Sequence, residues 1–152
     1  MSTDYRILPP ADWSKDELMW QAVASDAEET LRMGQNARLI MVGDASCLAW
    51  TDSSQYIALS RTLLKDLPKN IKGLTKLGGT LLHEYCHSTP SNEAHDHDQD
   101  FYEAFHNAAI NCLGNFLDVA AVSLGRRLNG RAAQRLLKLD REVDREEIDV
   151  DG

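Results

Sequence analysis

"GGTLLHEYCHSTPSNEAHDHDQDFYEAFH", residues 78–106, holds all five histidines of the chain: His83, His87, His95, His97 and His106. Glu84, Glu93, Asp96, Asp98, Asp100 and Glu103 are interleaved with them. The stretch is either a solvated polar loop carrying incidental imidazoles or the place where the chain holds a metal. "HEYCH" (83–87) has the form H-E-x-x-H and falls at the end of an apolar-periodic segment, "NIKGLTKLGGTLLHEYCH" (70–87), which predicts a helix. Residues four apart on a helix share a face, so His83 and His87 can offer ring nitrogens to one zinc ion. Glu84 falls beside that pair, where a carboxylate can take a proton from activated water without being a ligand. Thr89-Pro90 ends the helix, because the residue before proline is pushed out of the helical region. Gly78-Gly79 permits close approach of a neighbouring element.

Outward from this stretch the chain reads as helix, strands, then helices. "ILPP" (7–10) is an extended lead-in, and residues 11–33 predict a helix capped by Asp12 or Ser14 and ended by Gly34. "ARLIMVGD", "CLAWTD" and "QYIALS" are three short strands with short connections, which suggests an antiparallel meander. "SRTLLKDLP" is a short helix stopped by Pro68, and residues 100–128 form a long apolar helix that Gly114 and Gly125 can split. A last helix covers "GRAAQRLLKLDREV" (130–143). The fold class is therefore α+β, with an N-terminal helix, a small three-stranded antiparallel sheet, a histidine-bearing helix and C-terminal helices. The tryptophans Trp13, Trp20 and Trp50, together with Tyr85 and Tyr102, are expected in the core. Cys86 should face away from the metal as a small hydrophobe.

A chain of 152 residues fits one domain with a real core, here residues 1–140 followed by an acidic tail at 141–152. The net charge of −8 argues against a nucleic-acid backbone as main partner, although residues 140–152 alone supply −5 of it through seven acids and two arginines. No apolar run is expected to cross a bilayer, and "MSTDYRILPPADWSKDE" lacks the pattern of a signal peptide. Three widely spaced cysteines without a CxxC pair fit reduced thiols and a cytoplasmic location.

A catalytic zinc needs a third protein ligand and an open position for water. Glu93, His95, Asp96, His97, Asp98, Glu103 and His106 are candidates by position. His95 and His97 are two apart, so in an extended loop only one of them should bind. "HEYCH" followed by "HDQDF" (97–101) resembles the SprT/Spartan-like minimal zincin metallopeptidases, in which a His-Gly-x-x-Phe segment follows the helix. That resemblance implies His97 as third ligand and Phe101 as its aromatic packing residue. Asp98 stands where the family has glycine. His95, Glu93 and Glu103 remain the other candidates. The resemblance also implies that "YIALSRTLL" (56–64) is the edge strand and following helix, the strand pairing with an extended substrate. A weaker resemblance, through "AWTDSSQYIALSRTLL", "LLHEYCH" and "HDQDFYEAFHN", is to the zincin-like region of bacterial proteins that carry a GHKL-type ATPase domain. Together the two cover roughly residues 37–113. The metzincin pattern fits less well, since Pro90 and Glu93 stand where it needs glycine and histidine.

The expected activity is zinc-dependent hydrolysis of peptide bonds, with His83, His87 and His97 as ligands and Glu84 as general base. The expected partner is an unstructured protein or peptide substrate, and a protein activator fits a protease held inactive until released. The rival expectation is a zinc-stabilised, non-catalytic binding module. Glu84 favours catalysis, because a structural site has no use for a base.

Overall fold

A computed structural model describes residues 5–87, 97 and 99–128. The predicted last helix, the acidic tail and the candidates Glu93, His95, Asp96 and Asp98 lie outside these residues. The described chain is α+β, with four α-helices and a four-stranded mixed sheet. Helix α1 (Lys15–Ala27) starts at Ser14, whose hydroxyl accepts from the Glu17 N–H while the Glu17 carboxylate accepts from the Ser14 N–H. This reciprocal cap satisfies two otherwise orphaned donors and selects Ser14 over Asp12 as the start. Glu17 also pairs with Arg61 at 2.9 Å, which ties α1 to the start of α2. A single 3-10 turn (Glu28–Leu31) continues α1 until Met33 and Gly34, both at positive φ, reverse the chain.

The sheet departs from the expected meander. Strands β1 (Arg6–Ile7), β2 (Leu39–Asp44), β3 (Ala49–Thr51) and β4 (Tyr56–Ser60) lie in the order β1-β2-β4-β3. β4 is parallel to β2 and antiparallel to β3, and β1 adds antiparallel to the outside of β2. The reason lies in side-chain burial: Ile57, Ala58, Leu59 and Ser60 are all fully buried. A strand buried on both faces reads as a continuous apolar run and belongs inside a sheet. "QYIALS" is therefore a central strand, and the three-residue β3 takes the open edge. The crossing segment between β2 and β3 is pinned over the end of β4 by Ser60 N–H to Leu48 O (2.9 Å) and by the Ser60 and Thr62 hydroxyls to Ala45 O (both 2.8 Å). A turn follows β3, in which one Asp52 carboxylate oxygen accepts from the backbone N–H groups of Ser54, Gln55 and Tyr56.

α2 (Arg61–Leu64) leads to α3 (Ile71–Cys86), capped by Asn70, and α4 (Gln99–Arg127) runs unbroken through Gly114 and Gly125. α4 is long and apolar enough to span a bilayer by length and composition, with a mean hydropathy of 1.4 over its best window, contrary to the expectation that no such run exists. It packs against α1 and α3 and buries Ala108, Phe116, Ala120 and Leu124, while Ile110, Val119 and Val122 are exposed. Trp20 and Tyr85 are core residues and Trp50 is nearly so, Trp13 is half-buried, and Tyr102 is exposed rather than in the core. α3 and α4 approach closely at Gly78. A Cβ on Gly78 would stand 2.6 Å from the Phe116 ring and 2.9 Å from Leu113, whereas one on Gly79 would meet nothing within 4 Å.

Adjacent substitutions in α3 should therefore act in opposite directions. Gly78→Ala is expected to destabilise by about 1–3 kcal/mol through overpacking. Gly79→Ala should stabilise by roughly 0.5–1 kcal/mol through helix propensity. Urea denaturation of the two variants measures both.

Candidate metal centre

The last turn of α3 ends inside the protein, where its carbonyl groups need partners. Glu84 O accepts from the His87 N–H (3.1 Å) and from the Arg38 guanidinium (2.8 Å), and Tyr85 O accepts from the Gln35 side-chain amide (3.0 Å). Arg38 is buried, lies 4.6 Å above the Tyr85 ring, and also donates to Gln35 Oε1 and Ser53 O. The Tyr85 hydroxyl donates to Glu28 at 2.5 Å and accepts from the Arg38 N–H, and Arg32 pairs with Glu28 on the far side. This polar cluster places the end of α3 against the segment before β2 and the turn after β3. No motif singled out Arg38, Gln35 or Glu28. A buried arginine is a strong signal once burial is known, but sequence alone does not reveal it.

His83 sits in the last turn of α3, and His87 is not on the helix but caps it, with φ −80° and ψ 85°. The two rings still converge: His87 Nε2 lies 3.2 Å from His83 Nε2 and 3.4 Å from His97 Nε2. All three ligating nitrogens fall within 4.8 Å of one another. Nitrogens bound about 2.0–2.1 Å from a tetrahedral zinc stand about 3.3 Å apart, so this set fits a metal ion. Phe101, in the first turn of α4, orients all three rings. His87 and His97 stack on it at centroid distances of 4.7 and 4.6 Å, and His83 meets it edge-on at 5.0 Å. Burial pushes the His83 pKa down, with the neighbouring His97 adding to the effect, and a neutral imidazole is the form that binds metal.

Glu84 is nearly fully buried yet stands outside the three-nitrogen group. Burial raises its pKa to about 7, the Arg38 charge opposing that rise only in part. A cation held by the adjacent histidines would lower it again. Glu84 and the histidines form one wall of a cleft, and Tyr5, Cys47, Trp50 and Thr51 form the other. β3 is thus the strand that borders the site, in place of "YIALS".

Among the described residues, His97 is the candidate that joins His83 and His87. Glu103 is exposed and accepts from Gln99, and His106 is exposed on α4; neither belongs to the group. Cys47, Cys86 and Cys112 are free thiols, and burial raises the Cys86 pKa to about 11, consistent with a packing role. No protein-family model matches this chain, and no curated protein or solved structure does.

Loss of a ligand and loss of its support should be separable. His97→Ala is expected to lower zinc affinity by more than about a hundredfold, because it removes a direct donor. His106→Ala and Glu103→Ala should leave affinity unchanged. Competition with a chelating dye reads these variants out.

A second set of measurements addresses the ring that orients the ligands. Phe101→Ala should lower zinc affinity by roughly ten- to a hundredfold, the range for removing a group that orients ligands. Circular dichroism of the zinc-free variant checks that the helices persist.

Proposed function

We propose that this chain is a zinc-dependent metallopeptidase of the minimal zincin type. The observation that carries the proposal is a buried carboxylate, Glu84, beside three converging histidines in the wall of a cleft edged by an open strand. The resemblance of "HEYCH" and "HDQDF" to SprT/Spartan-like peptidases supports the same reading, and the contact of Phe101 with all three rings gives its aromatic position a physical role. His83, His87 and His97 would hold the zinc. When bound, zinc supplies a Lewis acid that polarises a carbonyl and brings the pKa of water to about 7.

The chain's own groups do the remaining work. Glu84 accepts a proton from the attacking water and returns it to the leaving amine. Its burial favours the uncharged form, so proton uptake in this cavity is not opposed by lost hydration. β3 pairs with β4 on one side only. Leu48 O bonds inward to Ser60, so the strand's alternation directs the Ala49 and Thr51 backbone groups to the open edge. An extended substrate can add there as a further strand, which suits unstructured protein segments and excludes folded ones. The free thiols and the net charge of −8 are in keeping with a cytoplasmic protein acting on protein.

Purified protein should contain about one zinc per chain by elemental analysis. Glu84→Gln should keep that zinc and the stability of the wild type while losing at least about a hundredfold in hydrolysis of an unstructured protein. Loss of metal together with activity would make Glu84 a ligand. Zinc binding by a wild type that cleaves nothing would favour the non-catalytic binding module.

A further inference from the structure

Beyond the histidines the cleft continues into a second cavity of about 380 Å³. Leu48 and Ala49 line it from the strand side and Lys76, Gly79 and Thr80 from α3, and it shares Cys47, Ala49, His83 and Glu84 with the cleft. We propose that this cavity is a substrate subsite for an acidic side chain, with Lys76 as its recognising group. The inference rests on the peptidase reading and adds the class of substrate that the site selects.

β3 (Ala49–Thr51) forms one wall and packs against α3, whose later turns form the other. The helix advances about 15 Å from Lys76 to Cys86, and His87 caps its end. Leu48 faces the Lys76 end and Ser53 the His87 end. Gly79 keeps the floor open between them, since a Cβ there would meet nothing within 4 Å. Lys76 stands two helical turns before His83, about 10 Å along the axis, which an extended chain covers in about three residues.

Charge separates the two ends. Glu84 is the acid that lines the cavity, and it lies at the histidine end. Lys76 is exposed at the other end and makes no ion pair among the described residues. Lys72, one turn earlier on the same face, is exposed as well and adds a second positive charge. Leu48, 42% exposed, offers an apolar rim for the methylene stem of a glutamate. An acidic side chain next to the scissile bond would face Glu84, whereas one about three residues away would face Lys76. The chain as a whole is acidic, so any preference for acidic substrate must arise from these local lysines.

The test uses the zinc-loaded full chain and unstructured peptides in which one glutamate is moved from the fourth position on one side of the cleaved bond to the fourth on the other. The expected result is a kcat/KM maximum about three residues from the bond, on one side only, of roughly two- to fivefold. It should vanish in 1 M salt, where screening acts within about 3 Å. Lys76→Glu should transfer the preference to the matching lysine peptide. Equal kcat/KM at every position, or a preference that survives Lys76→Glu, overturns the proposal. The same peptides are titrated into zinc-loaded Glu84→Gln protein while the amide resonances of Gly79 and Thr80 are followed. Shifts with the glutamate peptide but not the lysine peptide, from a wild type that cleaves neither, leave the subsite standing and remove the peptidase reading. Cleavage without charge preference removes the subsite and keeps the peptidase. Neither shift nor cleavage overturns both.

Discussion

A helix that ends in a protein interior must find donors for its last carbonyl groups, and at the end of α3 those donors are Arg38 and Gln35. The guanidinium has few rivals for this task. It is planar, always charged and carries five donors, so one side chain can reach the Glu84 and Ser53 carbonyls and the Gln35 amide oxygen while stacking on Tyr85. Its position couples three segments remote in sequence: the run before β2, the turn after β3 and the last turn of α3. Those segments are the ones that place His83, Glu84, His87 and the open strand. Without the cluster, the Tyr85 carbonyl would lose its Gln35 donor, at about 1–3 kcal/mol, and the Glu84 carbonyl would keep only the His87 N–H.

α4 completes the centre from the opposite direction. Its first turn brings Phe101 beneath the histidines, and its later turns anchor that end through Phe116, Ala120 and Leu124 in the core. Gly78 lets α3 and α4 approach closely enough for this to happen. The histidine rings are thus held by packing on one aromatic face, with their nitrogens directed at a common point. A ring with only two side-chain torsions, already packed on an aromatic neighbour, loses little further freedom when a ligand bond forms, which favours metal affinity.

Much of the candidate site was legible because it depends on short-range spacing. Two histidines four apart at the end of an apolar helix share a side whether the second lies on the helix or caps it, so His83 and His87 converge despite the C-cap geometry of His87. His97 came from a family resemblance rather than from spacing, and its place beside the other two is a tertiary result. The strand order is not legible in the sequence for a related reason. Connection length suggests a meander, but burial on both faces of β4 sends that strand to the middle and the three-residue β3 to the edge. Residue type likewise points Tyr102 to the core, yet it is exposed, because the side of α4 that faces the core is set by its neighbours.

The amino-acid sequence by itself determined that helices stand at α1 to α4, three of the four strands, and the pairing of His83 with His87 beside Glu84. Each of these is decided within a few residues by backbone sterics, hydrogen bonding and the 3.6-residue period. Only the tertiary structure decided which strand borders the cleft, that Arg38 supports the end of the histidine helix, and that Phe101 aligns three imidazoles. Those outcomes depend on which surfaces exclude water together, and groups as far apart in the chain as Arg38 and Glu84 meet only when the whole core has packed.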